Sequence, residues 1–208
     1  MVPEFTYLQK LIYEVNGKRE GFCYIEIDET DTEISFLANR NQLSLGMKSG
    51  LSNTLELQKY HVREQEKLRS NCKSYLRIVR KDGKILKIER YTNQKMSSVY
   101  LAYYERNVRY LFPFYESKAP ASLYAYATHF TEDGSVAEEY MTERSSQIIY
   151  ECYTREEDGH VSYTYINYVP NGKYPVLGRE AGCFTIEEPL VYVQTDGYVW
   201  YQDRNHMT

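Results

Sequence analysis

Six times along this chain an Asn or Asp is followed directly by Gly: Asn16-Gly17, Asp82-Gly83, Asp133-Gly134, Asp158-Gly159, Asn171-Gly172 and Asp196-Gly197. Between two alternating segments such a dipeptide favours a two-residue hairpin. Both central residues of a type I′ turn need positive φ, and Gly, Asn and Asp adopt it at least cost. The flanking runs comply. Tyr75 to Lys81 and Lys84 to Tyr91 enclose Asp82-Gly83, and the run from Thr154 to Tyr168 surrounds Asp158-Gly159. From position 82 onward the turns recur at near multiples of one strand plus one turn, the spacing of sandwiches and barrels.

Other segments alternate in the same way. Phe5, Tyr7, Leu11, Tyr13 and Val15 read as one face of a strand leading into Asn16-Gly17, and Cys23, Ile25 and Ile27 follow it. Ile34 and Phe36 begin another. Strands are predicted at Val99 to Tyr104, Val108 to Phe112, Leu123 to Phe130, Ile148 to Tyr153 and Leu190 to Val193. The exception is Ser52 to Asn71, rich in Glu, Gln, Lys and Leu, which favours a helix capped by Ser52 over a long exposed strand. The fold class expected is mainly β: an antiparallel meander of hairpins forming a strongly twisted sheet or open barrel, with ten to thirteen strands and at most one substantial helix. No linker divides the chain, so 1–208 reads as a single β-rich domain, a length that all-β domains reach undivided.

Tyrosine is the unusual residue, 23 against 7 Phe and 1 Trp, and it suits sheet faces that keep a polar end. The formal net charge of −4 argues against general affinity for nucleic acid or anionic lipid. Charge is nevertheless uneven. Eleven Lys or Arg stand against four acids from Arg63 to Lys95, and nine acids against two Arg from Thr131 to Asp158. Two explanations follow: basic and acidic strands paired side by side, or a bipolar surface that orients a partner. The four cysteines are widely spaced, with no zinc-ribbon pattern, and read as reduced thiols. Neither a signal peptide nor an 18-residue apolar span is visible, which places the expected compartment in the cytoplasm with no membrane partner.

No phosphate-binding loop, nucleophile elbow or clustered metal-ligand set is present, so neither a cofactor nor a metal is expected. His61 with Glu64, and His129 with Glu132 and Asp133, are too loosely spaced to define a metal site. The doublets Glu138-Glu139, Glu156-Glu157 and Glu187-Glu188 point to opposite faces of a strand and read as exposed charge. The candidate site is the segment Leu123 to Phe130. One face carries Ala125, Ala127 and His129, room for a small ligand beside an imidazole; the other carries Tyr124 and Tyr126. Two functions follow. The favoured one is a non-enzymatic protein-interaction module of inhibitor or immunity type, using a tyrosine-rich sheet face. The alternative is a β-barrel that binds a small molecule, with acid–base chemistry at His129.

Overall fold

The computed structural model describes residues 5–38, 46–143, 146–170, 175–195 and 199–200. Two helices, α1 (Phe5–Gly21) and α2 (Leu51–Lys59), accompany one antiparallel sheet. Its strands are β1 (Glu33–Ala38), β2 (Glu64–Gln65), β3 (Tyr75–Lys81), β4 (Lys84–Thr92), β5 (Lys95–Glu105), β6 (Val108–Phe114), β7 (Ala125–Phe130), β8 (Val136–Glu143), β9 (Gln147–Arg155), β10 (Val161–Tyr168), β11 (Val176–Thr185), β12 (Val191–Gln194) and β13 (Val199–Trp200). From β3 to β12 each strand pairs with its sequence neighbour, the meander that the turn spacing predicts. β1 then pairs with β3, β2 closes that side beside β1, and β13 joins β11. Among the described strands no pairing joins β12 to β2, so the sheet is open.

The hairpin turns differ in kind. Asp82 and Gly83 both have positive φ, 52° and 73°, as type I′ requires. At Asp133-Gly134 and Asp158-Gly159 only the glycine does, at 83° and 87°; each follows a tight turn closed by the Gly N–H, on Thr131 O and Glu156 O respectively. Asn171-Gly172 and Asp196-Gly197 lie outside the described residues. Asn16-Gly17 is no turn at all, because it lies inside α1.

The strand expected at Phe5 to Val15 is therefore corrected to a helix. Its sequence supports both periods, but the residues buried are Leu8, Leu11, Ile12 and Val15, spaced i, i+3, i+4 and i+7. Lys18 and Arg19 in the last turn complement the negative end of the helix dipole. These four side chains seal one face of the central strands, against Val99, Leu101, Tyr110, Phe112, Ala127, Ile148 and Ile166. Alternation sends Leu111 and Tyr126 to the opposite face, into a second core with Leu37, Met47, Leu76, Ile78 and Ile88. On that face lies α2, with Leu57 against this second core and Leu51 and Leu55 against a third core of Tyr153, Tyr163 and Phe184. The expected helix at 52–71 thus forms only over its first half. His61 takes a left-handed backbone (φ 52°), and the chain leaves the helix to form the short edge strand β2.

Candidate functional site

Strand β7 carries four of the predicted site residues, with Tyr124 immediately before it, and their alternation is as the sequence implies. Ala125 and Ala127 are buried in the core that α1 seals. His129, on the same face but half-buried, has Nε2 3.3 Å from the Tyr140 hydroxyl and Nδ1 3.2 Å from Glu138. Glu138 also accepts hydrogen bonds from the hydroxyls of Tyr7 (2.7 Å) and Tyr150 (2.6 Å). Burial, then the hydrogen bond to Glu138, pushes the Tyr7 phenol well above its ordinary pKa. This network ties α1 to β7, β8 and β9, with its polar atoms turned toward one another. On the other face Tyr126 is only 4% exposed and meets Tyr100 edge-on at 5.8 Å between ring centroids. Tyr124 is half-buried and donates to Gln147 Oε1 at 3.1 Å. None of Tyr124, Ala125, Tyr126, Ala127 and His129 lines the cavity beside Phe36 and Arg69, the one beside Phe22 and Tyr24, or the one beside Leu51 and Tyr153.

A second polar cluster holds the start of α2 on the sheet. Glu139 and Glu151 face each other across β8 and β9 and are both buried. Glu139 accepts the backbone N–H groups of Ser49 and Gly50, each at 2.9 Å, and so caps α2 from a neighbouring strand. Glu151 is ion-paired with Lys48 and accepts hydrogen bonds from the hydroxyls of Ser52 and Tyr153. Burial, then the Glu151 charge, raises the Glu139 carboxyl to about 7, against the pull of Lys48 and the two N–H groups. Burial alone would raise Glu151 too, but Lys48 holds it below the ordinary carboxylate value. Arg109, also buried, donates to Ser49 Oγ (2.9 Å) and Thr128 Oγ1 (3.0 Å). The doublet Glu138-Glu139, expected as exposed charge, is thus divided between two internal networks. Its members do point to opposite faces, but both faces are covered.

The basic segment is the third feature. In a meander sequence neighbours are also spatial neighbours, so the charge asymmetry survives folding. β3 and β4 are separated from the acid-bearing β8 and β9 by three intervening strands, and the two do not pair side by side. Part of the basic charge is neutralised locally. Arg77 and Lys87 share Glu29 and Glu89, and Arg80 pairs with Glu64 at 2.8 Å. Arg77, with Lys87 in support, brings the Glu29 carboxyl down to about 2. The segment from the end of α2 through β2 to the start of β3 is different. Arg63, Lys67, Arg69 and Lys73 are exposed, and among the described residues their side chains form no ion pair. Three of them, with His61, surround a cavity of about 570 Å³ against Phe36 and Tyr60, and no Asp or Glu lines it.

The charge count signalled this region in the sequence. What it could not signal was the cavity, which depends on α2 ending at Lys59 and on β2 returning beside β1. No family model matches the chain, and neither does any curated protein or solved structure.

Proposed function

We propose that this chain is a non-enzymatic binding module whose partner is a protein with an acidic surface, and that the basic segment running from the end of α2 through β2 to the start of β3 is its recognition end. One observation carries the reading: Arg63, Lys67, Arg69 and Lys73 stand exposed and form no ion pair among the described residues, while Arg77, Arg80 and Lys87 are each matched to a glutamate. A patch in which one sign predominates, four basic residues against Glu64 and Glu66, steers and orients a partner of the other sign. The tyrosines serve the reading from within. Among the described residues eight of them are core residues, Tyr126 among them, and their rings pack within the sheet that presents the patch.

Poly-L-glutamate is a suitable probe, because a chain of net charge −4 is repelled by a polyanion unless a local basic surface overcomes the repulsion. Biolayer interferometry at low ionic strength is expected to show binding that weakens steeply with salt. It should be lost in Arg69→Glu/Lys73→Glu, since both residues are exposed and their reversal leaves the core untouched. Absence of binding by the wild-type chain, or equal binding by the variant, defeats the reading.

A further inference from the structure

The cavity at the basic end has more definition than a charged patch. Its cations surround a concavity of about 570 Å³, within the size range of small-ligand sites. Arg63 and Arg69 offer planar forks of N–H donors, suited to bidentate contact with an oxyanion, and Lys73 adds a point charge. Phe36 and Tyr60 add aromatic surface to the lining. The backbone around it is held by hydrogen bonds. Val62 N–H donates to Leu57 O (2.9 Å), Cys72 N–H to Arg69 O (3.0 Å) and Gln94 N–H to Lys73 O (2.9 Å), which fixes the connection to α2 on one side and to the β4–β5 turn on the other. His61 keeps its left-handed backbone at the rim, a conformation uncommon outside glycine that the neighbouring bonds to Gln58 O and Leu57 O enforce. Three permanent cations with no carboxylate in the lining call for a ligand group carrying more than one negative charge, and the aromatic surface calls for a flat apolar moiety beside it.

From these features we infer that the cavity binds a phosphate monoester carried on an aromatic-bearing group. This chemistry has two sources: the phosphorylated tyrosine side chain of a protein partner, or a free nucleoside monophosphate. The inference rests on the basic end being the recognition end, and narrows what that end recognises.

Isothermal titration of the intact chain with phenyl phosphate, adenosine monophosphate and inorganic phosphate tests it. At least one of the two aromatic phosphates is expected to bind tenfold or more tightly than inorganic phosphate. Arg63→Ser and Arg69→Ser should each weaken that binding tenfold or more. Lys84→Ser, at the first position of β4 and away from the cavity, should leave it unchanged. Tighter binding of phenyl phosphate identifies the tyrosine source, and tighter binding of adenosine monophosphate the nucleotide. Failure of both aromatic phosphates to exceed inorganic phosphate overturns the inference, as does binding that survives the double variant Arg63→Ser/Arg69→Ser. Poly-L-glutamate separates this failure from that of the broader reading. If it binds while the aromatic phosphates do not, the cavity inference alone falls. If the aromatic phosphates bind while it does not, the acidic-partner reading alone falls.

Discussion

Glu139 on β8 faces Glu151 on β9 and stands near Lys48, and its carboxyl group accepts two backbone N–H groups from the start of α2. Its folded-state pKa of about 7 lies above the ordinary 4.5, so the folded state holds this proton more tightly than the unfolded chain does. The linked stability is fully present below about pH 4.5 and is lost as the pH rises through about 7. At 1.36 kcal/mol per unit the loss is of the order of 3 kcal/mol. Glu151 acts with the opposite sign. Its pKa is lowered, so its contribution is present above the ordinary carboxylate value and disappears on acidification. Urea denaturation of the wild type from pH 5 to 8 is therefore expected to show falling stability, and Glu139→Gln to show a flatter profile. Identical slopes would mean that Glu139 does not titrate in this window. Neither glutamate was legible as a member of this cluster. Their pairing depends on the register of β8 against β9, and the covering groups come from residues about a hundred positions away in the chain.

The elements show why one dipeptide can mean two things. Asp82-Gly83 makes a hairpin because alternating segments on both sides pair at once, and the positive φ of Gly83 is then unavoidable. Asn16-Gly17 has the same chemistry but lies in a segment whose apolar residues at 8, 11, 12 and 15 find a sheet to cover, and helix results. The two glycines should thus respond oppositely to alanine. A Cβ has open space at both positions, so only the backbone distinguishes them. Gly83→Ala is expected to destabilise by about 1 kcal/mol through its positive φ. Gly17→Ala should stabilise by about 0.5–1 kcal/mol through helix propensity. Thermal unfolding of the two single variants decides the point, and a destabilising Gly17→Ala would restore the turn. α2 shows the complementary effect. Helix-forming residues continue past Lys59, yet the helix stops there and the chain returns as β2. Close approach at Gly50 matters too, since a Cβ there would collide with the Tyr153 ring and the Glu139 carboxylate.

At the level of the molecule, an open meander has two faces to cover, and its own chain covers much of both. One face belongs to α1, whose four apolar side chains meet strands from β5 to β10. Truncating two of them, Leu8→Ala or Ile12→Ala, should cost about 2–5 kcal/mol each, the usual penalty for a cavity under a large aliphatic side chain. Urea denaturation reads this directly, and a cost below 1 kcal/mol would mean that α1 is not the seal of that face. The other face belongs to residues 46–59 and the glutamate cluster beneath them. This double covering explains why Tyr126 is buried in the second core and why Ala127 lies beneath α1. The hairpins from β3 onward, the alternation and the unevenness of charge along the chain were readable in advance, because each is set within a strand or two; that the basic and acidic strands do not pair side by side followed from the strand order. The helical state of the first segment, the end of α2, the burial of Glu139 with Glu151 and the basic cavity were decided only by tertiary structure. Each depends on which distant surface a segment packs against, and a local period of apolar residues carries no information about that surface.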